Sequence, residues 1–141
     1  MTLYAESSAV LAWLLGEDPG NAVREALGRA AVVIASDLTL IECDRVLIRT
    51  VALKRASEAE ASDRRACLAA AAAHWQLLRI GDDVVSRARR PFPGEPVRAL
   101  DAIHLASALV ARSAVAGLDL LSLDARIRES AKSMGFRVQP A

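Results

Sequence analysis

Lysine is nearly missing from this chain of 141 residues: only Lys54 and Lys132 stand among its 18 basic residues. Net charge is only +1. That balance excludes a polybasic tail or stripe, so any grip on nucleic acid has to come from local arginines or a bound metal. Cysteine is scarce too, with Cys43 and Cys67 far apart in helical patterns and no C-x-x-C or zinc spacing. Both read as small buried thiols, and nothing calls for an oxidising compartment. Aromatic residues are few, and the isolated Trp13 and Trp75 read as core rather than as stacking platforms for bases. No apolar stretch is long enough to span a bilayer, and the run Ala9–Leu15 is bracketed by Glu6, Glu17 and Asp18 without a basic flank. A cytoplasmic location with no membrane contact is therefore expected. The motifs G-x-x-x-x-G-K-[ST], G-x-G, G-x-S-x-G and H-E-x-x-H are all absent, which removes the NTPase, dinucleotide, serine-hydrolase and zinc-protease classes. An aspartyl-nucleophile phosphatase would want Asp after the first strand, where Glu6 stands.

What is abundant is apolar. Hydrophobic residues make up 53% and mean hydropathy is +0.25, with alanine, a strong helix former, supplying much of it. A chain of this length is expected to form a single domain over residues 1–141, burying roughly 68–70% of its unfolded surface. Leu3-Tyr4-Ala5 reads as a first strand, followed by a helix that Ser7 and Ser8 can cap and that runs through Trp13 to Leu15, and by another over Asn21–Arg29. Val32-Val33-Ile34-Ala35 is a continuous run of the kind found in a buried parallel strand. A long helix is predicted from about Leu40 to Lys54. Another opens at the capping-box pattern Ser57-x-x-Glu60 and runs to about Trp75. Strand 76–80, helix 82–90, the Pro91–Pro96 loop, helix 100–112, strand 118–123, helix 125–134 and an edge strand at 136–138 complete the order. This alternation predicts an α/β fold in three layers, a central mainly parallel sheet flanked by helices.

Four acids interrupt that apolar pattern at informative places. Glu6, Glu42, Asp101 and Asp124 each lie where a strand has ended or a helix begins, and such positions gather along one edge of a parallel sheet. Singly, each has a plain structural explanation. Thr39-x-x-Glu42 has the form of a capping box, Asp101 suits a helix dipole, Asp124 suits an N-cap, and Glu6 can be a solvated strand end. Jointly they point elsewhere, because three of them sit in apolar sequence: Leu40-Ile41-Glu42-Cys43, Ala99-Leu100-Asp101-Ala102-Ile103 and Leu121-Ser122-Leu123-Asp124. Buried carboxylates are costly unless paired or ligating a cation. A pocket of convergent carboxylates suits a hard divalent ion that keeps some of its waters, one of which can act as nucleophile on a phosphodiester.

The same residues carry a resemblance. Tyr4-Ala5-Glu6-Ser7-Ser8-Ala9-Val10, Leu38-Thr39-Leu40-Ile41-Glu42, Leu100-Asp101-Ala102-Ile103-His104-Leu105-Ala106 and Ser122-Leu123-Asp124 resemble, in order and spacing, the successive blocks of PIN-domain proteins, and most of all VapC-type toxins. The block around Asp101 is the most specific. The resemblance implies a PIN-like domain with Mg²⁺- or Mn²⁺-dependent endoribonuclease activity, leaving 5′-phosphate and 3′-hydroxyl ends. It further implies an RNA substrate, a cognate VapB-type antitoxin and a homodimer. Carried over by position, Glu6 and Asp101 would be the main metal ligands and Asp124 would complete the cluster. Glu42 would orient or deprotonate the attacking water, while Ser8 and Ser122 would bind water, metal or phosphate.

One position departs from the family pattern, which normally has Asp where this chain has Glu6. The extra methylene moves the carboxylate by up to ~1.5 Å, one C–C bond. A displacement of about 1 Å can cost on the order of 10²-fold in rate. Altered activity or metal preference is expected, with a catalytically silent PIN-like binding module as the alternative. His104, one turn after Asp101, reads as a packing residue from the helical spacing of Leu100, Ile103, Leu105 and Leu109, with ligand or base as the other choice. Arg87, Arg89, Arg90 and Arg98 around the proline loop are either a solvated face or phosphate contacts. The Ala69–Ala73 run allows close helix approach, internally or to a partner.

Overall fold

The computed structural model describes residues 1–141. Five strands pair in the order β3-β2-β1-β4-β5, and every pairing is parallel. They are β1 (Thr2–Ala5), β2 (Val32–Ser36), β3 (Gln76–Leu78), β4 (Leu118–Leu121) and β5 (Val138–Gln139). The helices between them are α1 (Ser7–Leu15), α2 (Gly20–Arg29), α3 (Asp37–Ala52), α4 (Glu58–Ala72), α5 (Asp82–Ala88), α6 (Ala99–Ala114) and α7 (Ala125–Ser133). None is long and apolar enough to cross a membrane.

Side-chain alternation along the strands divides the core in two. Tyr4, Ile34 and Leu120 share one face and pack with Leu105 and Ala106 of α6, Val84 of α5 and Ile127 of α7. Leu3, Ala5, Val33 and Leu121 point the other way, onto Val10, Val23, Cys43 and Leu68 of α1 to α4. Both faces are covered, so the strands read as unbroken apolar runs rather than alternating ones. This is the expected three-layer α/β arrangement. The one charge buried within the sheet, Asp119, accepts from Arg137 Nε at 3.0 Å and Gln139 Nε2 at 3.1 Å on the neighbouring edge.

Several local expectations need correction. Helix α3 begins at Asp37, directly after β2, rather than near Leu40. Thr39 is therefore inside the helix, where its hydroxyl donates to Ala5 O at 2.9 Å, and Thr39-x-x-Glu42 is not a capping box. Ser57 and Glu60, by contrast, do form one. Cys43 is buried, and burial with nearby carboxylates pushes its thiol up to about 12, but Cys67 is exposed. Leu100 is 51% exposed, and α6 instead buries Ala102, Leu105, Ala106, Ser107, Ala108 and Ala111. Small residues form this face because α6 packs closely on the sheet and its neighbours, and a large-residue periodicity does not detect them. Trp13 and Trp75 pack, partly buried, against the second core.

Gly20 marks the tightest helix contact. A Cβ there would lie 2.7 Å from Ala12 O, a backbone atom of α1 that cannot swing aside, whereas nothing lies within 4 Å of a Cβ at Gly28. Gly20→Ala should destabilise the protein by about 1–3 kcal/mol in denaturant unfolding. Gly28→Ala, in the same helix but facing solvent, should stabilise it by about 0.5–1 kcal/mol.

Candidate metal and phosphodiester site

The C-terminal ends of three adjacent strands meet at one point. Glu6 extends β1, its N–H donating to Leu121 O of β4 at 2.9 Å. Ser36 closes β2, and Ser122 follows β4 with its N–H donating to Gln139 O at 3.1 Å. Because all strands run the same way, their carboxyl ends share one edge, the usual place for a ligand in an open α/β sheet.

Glu6 is 3% exposed and takes four donors. Its Oε1 accepts from Ser7 Oγ at 2.9 Å and from Ser8 N at 3.1 Å. Its Oε2 accepts from Ser122 Oγ at 2.7 Å and from Ser8 Oγ. The side chain thus folds back to cap α1, a role usually held by a shorter residue. The added methylene is taken up inside a ring of serines.

The ring extends to the other acids. Ser7 Oγ also lies 2.8 Å from Glu42 Oε1, so one proton is shared between two carboxylates. Ser8 Oγ accepts from Leu123 N at 2.9 Å and Asp124 N at 3.1 Å, and Ser122 Oγ accepts from Asp124 N at 3.1 Å. Asp124 caps α7, its Oδ1 accepting from Arg126 N at 2.9 Å and Ile127 N at 3.1 Å. Its capping role and its place beside Glu6 are therefore compatible.

His104 is buried and bonded rather than merely packed. Its Nε2 lies 2.5 Å from Glu42 Oε1 and its Nδ1 lies 3.1 Å from the Tyr4 hydroxyl, which is 3.0 Å from Ser36 Oγ. Burial pushes the Tyr4 hydroxyl up to about 12. Donor atoms of Glu6, Glu42 and His104 all lie within 4.8 Å of one another. That tight group differs from the Glu6, Asp101 and Asp124 set expected for a metal, because it substitutes Glu42 and a histidine for two aspartates. Ser7, Tyr4 and the bonding role of His104 escaped the sequence reading. A buried tyrosine needs a partner for its hydroxyl, which was the available signal for Tyr4.

Two carboxyls are pushed in opposite directions. Burial would raise Glu42, but the hydrogen bonds from His104 and Ser7 and the charge on His104 outweigh it and hold Glu42 below the usual glutamate range. Asp101 is raised, first by burial and then by the charges of Asp124 and Glu6, with Arg98 and His104 only partly offsetting them. Asp101 has no hydrogen-bond or ion-pair partner, although it feels the two acids expected to join it. The donor set suits a hard divalent cation on two grounds: mutual repulsion to relieve, and an unengaged carboxylate at Asp101. Glu6 can open a lone pair without heavy-atom movement if the Ser7 hydroxyl turns fully to Glu42.

Beside Asp101 and Asp124, Arg98, Ala125 and Arg126 line a cavity of about 270 Å³. Arg98 is one of the four arginines around the proline loop. Of the others, Arg87 is tied to the Arg90 and Pro91 carbonyls and stacks on Phe92, while Arg89 and Arg90 line a separate depression.

Known proteins agree with this geometry at the level of fold. The toxin VapC20 of Mycobacterium tuberculosis, described as cleaving the sarcin–ricin loop, is 18% identical, with 95% of each chain covered and a TM-score of 0.63. VapBC2 of Rickettsia felis, bound to a DNA fragment from its promoter, is 7% identical over 99% of this chain and 98% of that one, with a TM-score of 0.64. A toxin–antitoxin complex from Klebsiella pneumoniae is 17% identical over 100% and 98%, with a TM-score of 0.65. No curated protein matches the chain in sequence. The family model for the PIN domain matches residues 3–135, which contain all four acids, and the chain belongs to the PIN-domain family.

Proposed function

We propose that this chain is a Mg²⁺- or Mn²⁺-dependent endoribonuclease, the toxin of a toxin–antitoxin pair, held inactive by a VapB-type antitoxin and working as a homodimer. The observation that carries the reading is the unpartnered carboxylate of Asp101, raised by burial and by the charges of Asp124 and Glu6, on the sheet edge that also holds Glu42 in a PIN domain. The toxins and toxin–antitoxin complexes among the structural neighbours support the partner and the substrate class.

Each residue has a task in this reading. Asp101 and Glu6 hold the cation, and Asp124 adds charge from the N-cap of α7. His104 and Ser7 occupy Glu42 Oε1, leaving Oε2 to accept a hydrogen of the attacking water and orient it towards phosphorus. Held below its ordinary range, Glu42 is ionised at neutral pH and is a weak base. When bound, a divalent cation supplies what so weak a base lacks, an acidified water and compensation for charge developing on the phosphate. Ser8 and Ser122 keep Glu6 and the Asp124 backbone in register.

One observation favours the silent binding module as a second reading. Glu6 already has four donors, so its burial is stabilised without any cation. The two readings separate in a cleavage assay on a mixed structured-RNA pool with Mg²⁺, Mn²⁺ or EDTA. The nuclease predicts cutting that EDTA abolishes and that Asp101→Asn lowers by at least about 10²-fold. Activity that survives EDTA, or full activity in folded Asp101→Asn, would sink it. An inert parent alongside an active Glu6→Asp would indicate a scaffold silenced at one ligand.

The raised Asp101 also predicts a stability effect. A carboxyl whose folded pKa exceeds its unfolded value favours the folded state below the unfolded value, and that contribution is lost as pH rises through the folded value. The metal-free protein at neutral pH therefore carries a repulsive Asp101. Asp101→Asn should raise its melting temperature at pH 7 in EDTA, with the gain vanishing as pH falls below about 3.9, the ordinary aspartate value. An unchanged or lower melting temperature would show that the charges are not coupled.

A further inference from the structure

Next to the acids lies a larger cleft, about 470 Å³, between the loop 93–97 and helix α7. Arg98, Asp101 and Arg126 line both this cleft and the smaller cavity at the acids, so they form the wall between them. Four other arginines are committed to partners. Arg128 donates to the Ser122, Gln139 and Pro140 carbonyls, Arg112 to Met134 O, Arg87 to the loop backbone, and Arg137 to Asp119. Arg98 and Arg126 have neither an ion-pair nor a side-chain hydrogen-bond partner. Both are exposed, and one stands at the start of each of the two helices that present Asp101 and Asp124.

We propose that this cleft is a subsite for single-stranded RNA, with Arg98 and Arg126 gripping phosphates on either side of the scissile one and the next nucleotide lying between the loop 93–97 and α7. The inference rests on the nuclease reading above. Free guanidiniums offer forked, bidentate donors that match phosphate oxygens, and they suit a chain whose net charge gives no general attraction for RNA. The remaining walls are mixed. Pro93, Pro96, Val97 and Ile127 give apolar surface for a base, and Ser130 offers a hydroxyl to its edge; Ser133 Oγ donates to Glu129 O at 3.2 Å, and Glu129 is the one acid on this wall besides Asp101. A cleft of this size is within the usual range for a small ligand, about 300–1,000 Å³.

The test is binding of a fluorescein-labelled single-stranded RNA of mixed sequence in EDTA, followed by anisotropy at several salt concentrations. Arg98→Gln and Arg126→Gln should each weaken binding and lower the slope of log K against log salt by about 0.7, the value for one phosphate contact on a single strand. Ser133→Trp fills the cleft without changing charge, and it should weaken binding while leaving the slope unaltered. Arg89→Gln, at an unpaired arginine lining a separate depression, should behave like the parent. All four positions are exposed, and melting curves check that the variants fold. Parental affinity and slope in both Arg98→Gln and Arg126→Gln would overturn the proposal and leave the cleft to an acidic protein segment. An equal loss in Arg89→Gln would also overturn it, since binding would then be spread over the surface, and parental affinity in Ser133→Trp would remove the nucleotide from the cleft. Cleavage is read separately: arginine-dependent binding by a parent that cuts nothing keeps the subsite and rejects the nuclease.

Discussion

A carboxylate that is 3% exposed has to be held by donors, and Glu6 is held by four. Those bonds do more than offset desolvation. Ser8 N ties Glu6 to the first turn of α1, Ser122 Oγ ties it to the end of β4, and Ser7 ties it to Glu42 on α3. The Glu6 N–H meanwhile continues the β1–β4 ladder. Three elements distant in sequence are thereby brought to one carboxylate.

Around this junction the protein separates its acids by environment. Glu42 accepts hydrogen bonds from His104 and Ser7 and is held low; Asp101 accepts none and is held high by burial and by the charges of Asp124 and Glu6. Pairs of titratable groups whose surroundings move them apart are the usual mark of divided chemical roles. In the proposed nuclease the first group would accept a hydrogen from water and the second would hold the cation. The buried Tyr4–His104 contact anchors the first of these to the sheet through the core rather than through solvent.

Much of this was legible in the chain, for physical reasons that differ from residue to residue. The β-branched run at Val32–Ala35 marks β2 because a strand covered on both faces needs no polar side. Ser57 and Glu60 mark the start of α4 because a capping box is a local device. The four acids could be placed at one sheet edge from element order alone. What was not legible depends on contacts made across the fold. Thr39 looks like a cap but bonds to Ala5 O of β1, and α3 starts two residues before it. His104 looks like a core residue by helical spacing, yet its ring nitrogens meet partners 62 and 100 residues away. Cys67 looks buried by residue type and is exposed, because α4 turns that face outward. Spacing along a helix shows which residues share a face, but not which partners that face will meet.

The most direct test of the central claim, that these carboxylates converge to hold a divalent cation, is anomalous diffraction from crystals of the parent protein grown with Mn²⁺. The account predicts one or two Mn²⁺ peaks in contact with Asp101 and Glu6. No peak at this edge under saturating Mn²⁺, with all four donors still on Glu6, would contradict it.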